Sequence, residues 1–431
     1  MGKSDKPKKR DLKKEIICRK INKPNPILAT VAFFVLSRIA KKNKVEFHYG
    51  YDKKELKNKP AVLLSTHASR MEFIYALYGF KEKNINAVCG YQNMMKKHVY
   101  TPLKLLGVIP KYLYQPDYAC TKSMLSVINR GGNLALFPEG IQSLSGSAHP
   151  INPATCKFLK HAGATVVLCK SQGSYLCQNR FSKDVKKGKI DFYYDILFTP
   201  EELKTLKPDE IYEKLVEKFY YNEFKLNKTR REKYVGKLPN IDGLDKIIYK
   251  CPNCGEEFAF EIKGADMTCE KCGYSVTMDE YYDISLKRGD KLYFDNVDDW
   301  FKWQRKTVRE ELNGDFTRLE LFGGLYELRT DKLLKAPKDK NLLSYGKFVL
   351  DKENLSLVAN DGYTDYAFSM KGVYSLTFSL SGFLEFYYEN DYYVIKPDDN
   401  LNQMVKWTLF SEEIHNLYDE KWKKASEDVY D

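Results

Sequence analysis

Two groups of residues have the types and spacing to do chemistry. The first is Cys251-Pro-Asn-Cys254 and Cys269-Glu-Lys-Cys272, fourteen residues apart, each pair followed by a glycine, Gly255 and Gly273. Two tight turns of this kind surround Zn²⁺ with four thiolates and leave no coordination position open. The expected role is therefore structural zinc in a ribbon, not activation of water. The second is Ser65-Thr-His67-Ala-Ser69-Arg-Met-Glu72, directly after an apolar run. His67 has the chemistry of a general base, and Glu72 that of the carboxylate that orients the imidazole and stabilises its protonated form. Five residues of regular helix turn through about 500°, so the two would not share a helix face. The pair works only if His67 lies ahead of a helix that begins near Glu72.

Two further segments bring groups that a bound molecule would meet. In Leu134-Ala-Leu-Phe137-Pro138-Glu139-Gly140 an apolar strand runs into Pro-Glu-Gly. This puts a carboxylate at the C-terminal edge of a sheet, where α/β proteins collect ligands. In Gly107-Val-Ile-Pro-Lys111 the glycine permits close approach and the lysine suits an anion. Alone, the first reads rather as an ordinary turn and the second as a solvated lysine after a loop proline.

These residues need a scaffold, and the pattern from about 44 to 200 is α/β: a sheet covered by helices. Strands are expected at 45–50, 61–64, 86–90, 133–137 and 164–169, and helices at 72–80, 121–130 and 152–162. A charged helical stretch at 209–235 closes the unit. Upstream, residues 1–25 hold ten Lys and Arg against three acidic residues, and Pro26 to Ala40 is an apolar run of 15. Spanning a bilayer takes roughly 20. A basic run before a short apolar helix reads as interfacial, at anionic headgroups, with a buried core helix as the competing reading. Downstream come a helix at 297–312 and Tyr/Phe/Leu-rich strands with turn signals at Asn313-Gly314, Gly323-Gly324, Asn360-Asp361-Gly362 and Asn390-Asp391. This reads as a β-meander closed by one helix, 412–424, with no role assigned. The expected units are 1–45 (basic arm and interfacial helix), 46–240 (α/β), 246–280 (zinc ribbon) and 281–431 (mainly β). The net charge of +12 favours an acidic partner, whether anionic lipid, nucleic acid or an acidic carrier protein. The six cysteines outside the two pairs are scattered, several in apolar segments, as in a reduced cytoplasmic protein.

Together, His67-Ala-Ser-Arg-Met-Glu72, Gly107 to Lys111, Phe137-Pro-Glu-Gly140 and the later apolar Val166-Val-Leu168 match in order and spacing the motifs of a known family. Over residues 25–200 the chain resembles the glycerolipid acyltransferases, which include the 1-acylglycerol-3-phosphate acyltransferases. By this resemblance His67 deprotonates an acceptor hydroxyl, which attacks the thioester of acyl-CoA or acyl-acyl carrier protein. Glu72 orients His67, and Glu139 helps hold the acceptor in a site with Ser69, Gly107, Lys111, Phe137, Pro138 and Gly140. The implied enzyme is peripheral or monotopic on the cytoplasmic face of the cell membrane. It acts in phospholipid biosynthesis or remodelling, with structural zinc and no organic cofactor beyond its acyl donor.

Three positions depart from the family pattern. Glu72 stands where Asp is usual. Ile141-Gln142-Ser143 follows Phe-Pro-Glu-Gly in place of Thr-Arg-Ser, and Lys111 stands where Arg is common. Gln142 is a weaker phosphate ligand than the arginine of the pattern. A rival reading is a catalytically idle relative that binds lipid, protein or nucleic acid through its zinc ribbon. Tyr249, Phe258, Phe260 and Tyr274 with Lys246, Lys250, Lys263 and Lys271 would form the binding face. Six acidic residues of the module cancel much of that charge, so nucleic acid is not the expected partner.

Overall fold

The computed structural model describes residues 11–57, 59–82, 84–335, 340–359, 362–379, 381–398 and 403–430. The α/β unit is built on seven strands: β1 (Val45–Tyr49), β2 (Ala61–Ser65), β3 (Ile85–Gly90), β4 (Ile109–Lys111), β5 (Asn133–Leu136), β6 (Thr165–Gln172) and β7 (Ile190–Phe198). They lie in the order β1-β7-β6-β2-β5-β3-β4, with β6 and β7 antiparallel and the other neighbours parallel. Every residue of β2 is buried, as a continuous apolar run flanked by strands and covered on both faces requires. The helix Glu72–Phe80 starts where the His67 geometry demands, seven residues after β2 ends.

The ribbon is a four-stranded antiparallel sheet: β8 (Phe260–Lys263), β9 (Asp266–Cys269), β10 (Ser275–Met278) and β11 (Ile284–Arg288). It continues past residue 280 because β11 pairs with β10. The helix Val297–Asn313 then leads to a second seven-stranded sheet, antiparallel throughout. Its strands are β12 (Leu319–Leu328), β13 (Lys340–Leu350), β14 (Asn354–Ala359), β15 (Thr364–Ser369), β16 (Thr377–Ser379), β17 (Phe383–Tyr388) and β18 (Asp391–Pro397), in the order β15-β14-β13-β12-β18-β17-β16. Two helices close the chain, Met404–Asn416 and Glu420–Tyr430, where the sequence led us to expect one. The break falls at Leu417–Asp419, and the Asp419 carboxylate receives the Lys421 and Trp422 amides at the start of the second helix.

The basic arm also differs from a free, solvated terminus. Its first ten residues lie outside the described set, but the helix Leu12–Ile17 buries Leu12, Ile16 and Ile17 against Tyr387, Tyr392 and Val394 of the second sheet. Lys13 pairs with Asp391 at 2.5 Å. The following helix, Pro26–Lys42, is capped by Asn25, whose side chain accepts from the Ile27 and Leu28 amides at 3.1 and 3.0 Å. It packs on the helix Glu72–Phe80, and its outer face exposes Ile27, Val31, Phe34 and Val35. Among the described residues no helix is long and apolar enough to cross a membrane.

One hydrophobic core runs through all three sheets, joining Leu63 and Tyr175 to Met267 and Trp300 and on to Phe348 and Trp407.

Candidate active site and metal centre

Neighbouring strands β2 and β5 deliver the two principal motifs to one edge of the sheet. His67 follows β2 by two residues, and Phe137 follows β5 directly. Their rings lie 5.0 Å apart. The backbone of His67 is fixed on both sides: its N–H donates to Glu139 Oε2 at 2.5 Å, and its carbonyl accepts from the Ser143 N–H at 3.0 Å. The ring is less constrained. Its Nδ1 is buried and has no hydrogen-bond partner among the described residues. Burial, and after it the charge of Arg180, holds the imidazole down to about 3, so the ring is neutral.

Glu72 does not bond the imidazole, contrary to the role expected of it. As the first residue of its helix it folds back over the buried amides of the preceding loop, which lack backbone partners of their own. One oxygen accepts from the Ala68 N–H and from the Ser69 N–H at 3.2 Å. The other accepts from the Thr66 and Ser171 hydroxyls, each at 2.5 Å. With four donors on two oxygens, the carboxylate braces the loop that carries His67. Glu139 is likewise not presented to an acceptor. It is 2% exposed and accepts from His67 N, from His149 N at 2.8 Å and from the Tyr221 hydroxyl at 3.4 Å. Burial raises Glu72 to about 7 and Glu139 to about 8, and for Glu139 the charge of Glu72 adds to the effect.

The remaining expected residues divide. Ser69 is buried, with its N–H on Glu72. Pro138 and Gly140 form the turn after β5. Gly140 adopts φ +75° and returns its N–H to the Phe137 carbonyl at 3.0 Å. Gly107, at φ +65°, is required by its own surroundings: a side-chain carbon there would sit 2.4 Å from the Asn22 carbonyl oxygen. Lys111 ends β4, three places along the sheet from β2, or about 14 Å at ordinary strand spacing. The fold does not bring it to His67 as a neighbour.

The sequence reading missed Arg180. It follows β6 and lies on a turn held by Asn179, whose side chain accepts from the Phe181 and Ser182 amides. Its guanidinium reaches Gln142 Oε1 at 3.4 Å and donates to the Phe378 carbonyl of β16. No motif marks it, since only the packing of the second sheet against the first places it there. Ser171, Thr66, His149 and Tyr221 were missed because folding within the α/β unit, not a motif, turns their donors onto Glu72 and Glu139.

In the ribbon the four cysteine sulfurs lie within 4.8 Å of one another. Cys251 Sγ and Cys272 Sγ are 3.8 Å apart, as are Cys254 Sγ and Cys269 Sγ. That is the edge, about 3.8 Å, of a tetrahedron whose centre lies about 2.3 Å from each corner, so the sulfurs fit a closed tetrahedral metal site. Gly255 and Gly273 take φ +76° and +74°, closing each turn with an N–H to the first cysteine's carbonyl. Glu46, His48 and Asp191 also converge, but Arg230 and Lys189 already meet their charge.

No family model and no curated protein matches this chain. Among solved structures it is similar to the 1-acyl-sn-glycerophosphate (LPA) acyltransferase of Thermotoga maritima, at 12% identity and a TM-score of 0.39, over 47% of this chain and 79% of that one. It is also similar to the PH domain of human oxysterol binding protein-related protein 11, at 12% identity and a TM-score of 0.19, over 25% of this chain and 88% of that one.

Proposed function

We propose that this protein transfers a fatty acyl group from a thioester donor, acyl-CoA or acyl-acyl carrier protein, to the hydroxyl of a lysophospholipid at an anionic membrane surface. One observation carries the reading. His67 stands at the C-terminal edge of a central strand on a loop braced by two buried carboxylates, with a neutral ring whose Nδ1 has no partner among the described residues. The braced backbone fixes where the ring stands, and the neutral ring with an unpartnered nitrogen can accept a proton from a hydroxyl brought to it. The motif order and spacing shared with glycerolipid acyltransferases give that base its reaction class.

In the proposed step His67 takes the proton of the acceptor hydroxyl as the oxygen attacks the thioester carbonyl. The tetrahedral intermediate then expels the thiolate, which recovers the proton from the imidazolium. The ester forms, the C–S bond breaks, and the imidazole is regenerated. Glu72 and Glu139 act as positioning residues through the backbone. The four cysteines would hold zinc as a structural ion, since a closed tetrahedral site leaves no position for substrate. The apolar face of the helix Pro26–Lys42, with Arg38, Lys41 and Lys42, would rest in the headgroup layer of the cytoplasmic leaflet.

The test is transfer from labelled acyl-CoA and acyl-acyl carrier protein to a panel of lysolipids. We expect His67→Ala to lose at least about 1,000-fold in kcat with its melting temperature retained. Full activity in that variant would refute the mechanism.

A further inference from the structure

Of the four ribbon cysteines, Cys251 and Cys269 are buried, whereas Cys254 and Cys272 are exposed. Four thiolates around a divalent ion carry a formal charge of about −2, and at the exposed sulfurs hydrogen-bond donors must offset it. A side chain supplies one of them. Asn253 stands between the two cysteines of the first turn, yet its Nδ2 donates across the centre to Cys272 Sγ of the second turn, at 3.4 Å. A thiolate only accepts, so the amide end that meets it is the NH₂, and the carbonyl end faces elsewhere. That end is engaged as well: the Tyr293 hydroxyl donates to Asn253 Oδ1 at 3.0 Å. The Tyr293 ring meets Tyr274 edge-on at 5.5 Å and is capped by Lys291 Nζ at 4.7 Å. Tyr274 is buried, and its carbonyl accepts from the Cys269 N–H at 2.8 Å, which seats the phenol on the second turn. Asn253 is itself exposed, so apolar burial does not account for its placement.

We infer that Asn253 and Tyr293 form an outer shell of the metal centre, which holds Cys272 as a ligand and ties the first cysteine turn to the second. The inference rests on the four-cysteine metal reading and is independent of acyl transfer. An N–H on a coordinated sulfur offsets part of its charge and fixes its orientation, so the exposed ligand exchanges for water more slowly. Because the bond joins the two turns, it also holds their sulfurs together for the incoming ion. Tyr293 lies outside the cysteine spacing, in residues 289–296, which lead from β11 into the helix Val297–Asn313. The same segment places Phe294 on Trp300 of that helix, with ring centres 5.7 Å apart. Retention of the metal is thereby coupled to the docking of this helix on the ribbon.

The experiment measures metal affinity on the full chain, with no acyl substrate present. Zinc is titrated into metal-free protein against a chromophoric chelator, and its release from loaded protein is followed after excess chelator is added. We expect Asn253→Ala to bind zinc about tenfold or more weakly than wild type and to release it faster by a similar factor. Asn253→Asp keeps the shape of the side chain and an acceptor for Tyr293 but lacks the donor, and it should lose at least as much. Tyr293→Phe removes one hydroxyl and is expected to lose about threefold. The double variant Asn253→Ala with Tyr293→Phe should bind no more weakly than Asn253→Ala alone, because the phenol acts through the amide. Wild-type affinity and release in both Asn253 variants would overturn the outer shell and leave the metal centre standing. Wild-type affinity in Asn253→Asp alone would also overturn it, since the donor would then be irrelevant. A wild type that takes up no zinc would remove the metal centre itself.

Discussion

A carboxylate near a histidine can act on the ring or on the chain that carries it, and Glu72 and Glu139 do the second. Between them they receive the N–H groups of His67, Ala68, Ser69 and His149. Burial raises Glu72 to about 7 and Glu139 and Glu223 to about 8. A carboxyl raised in the folded state keeps a proton that the unfolded chain has released above about pH 4.5. Its contribution to stability is complete below that pH and is lost as pH rises through 7 to 8. His67 and His149, held down to about 3, are neutral in the folded chain, and the unfolded chain's imidazoles lose their remaining protons between about pH 6.5 and 7.5, an opposing rise of less than about 0.5 kcal/mol each. We expect stability to fall between pH 6.5 and 8.5 by on the order of 1 kcal/mol per carboxyl, and Glu139→Gln to flatten the slope. Thermal melts across that range give the answer, and a flat wild-type profile would contradict these assignments. The sequence set His67 and Glu72 on one loop and Glu139 at the end of a strand, and the fold joins the three through backbone amides. It misjudged what the carboxylates hold, because adjacency along the chain does not say whether an amide or a ring nitrogen faces a carboxylate.

At the scale of elements, the helix Pro26–Lys42 was legible from a short apolar run between basic flanks, and its ends follow from Asn25 as cap and Asn43 past the last turn. Which side faces out was not. Tyr78, on the helix Glu72–Phe80, meets Phe33 at 6.0 Å, and packing on this side turns Ile27, Val31, Phe34 and Val35 to solvent, at 76, 52, 58 and 47% exposure. These fall at i, i+4, i+7 and i+8, one stripe of a helix, whereas a core helix would bury such a stripe. Phe34→Glu is expected to weaken sedimentation with anionic vesicles about tenfold or more and to change folding stability by less than about 0.5 kcal/mol. Equal vesicle binding by the variant would remove this helix from the proposed membrane contact.

Across the whole molecule the ribbon and the second sheet support the site from behind. The Gln304 side chain accepts the Tyr249 and Lys250 amides, and Trp300 Nε1 donates to the Lys250 carbonyl, so the ribbon is fastened to the helix Val297–Asn313. That helix carries Asp298, which accepts from the hydroxyls of Ser145 and Ser147, just beyond the Glu139 turn. Its Arg305 pairs with Glu412 and Glu413 at 2.5 and 2.8 Å, both buried on the helix Met404–Asn416. His149, whose amide holds Glu139, has its ring between the hydroxyls of Tyr430 and Tyr374 at 2.6 and 3.2 Å. Removing metal with a chelator, or replacing Cys254 by Ser, is therefore expected to lower the melting temperature by roughly 10 °C or more and to reduce acyl transfer with it. An unchanged melting temperature in metal-free protein would separate the ribbon from the site.

The amino-acid sequence by itself determined the local features: strand and helix periods, the two C-x-x-C-G turns, and the position of His67 between a buried strand and a helix. Each follows from side-chain pattern or turn chemistry within a few residues, where the backbone has few choices. The tertiary structure alone decided the partners of Glu72 and Glu139, the arrival of Arg180 at Gln142, the distance of Lys111 from the base, and the reach of the second sheet into the site. Those contacts join residues up to 281 positions apart, as between His149 and Tyr430. They arise because three sheets share one core, and no local pattern encodes which polar groups such packing brings face to face.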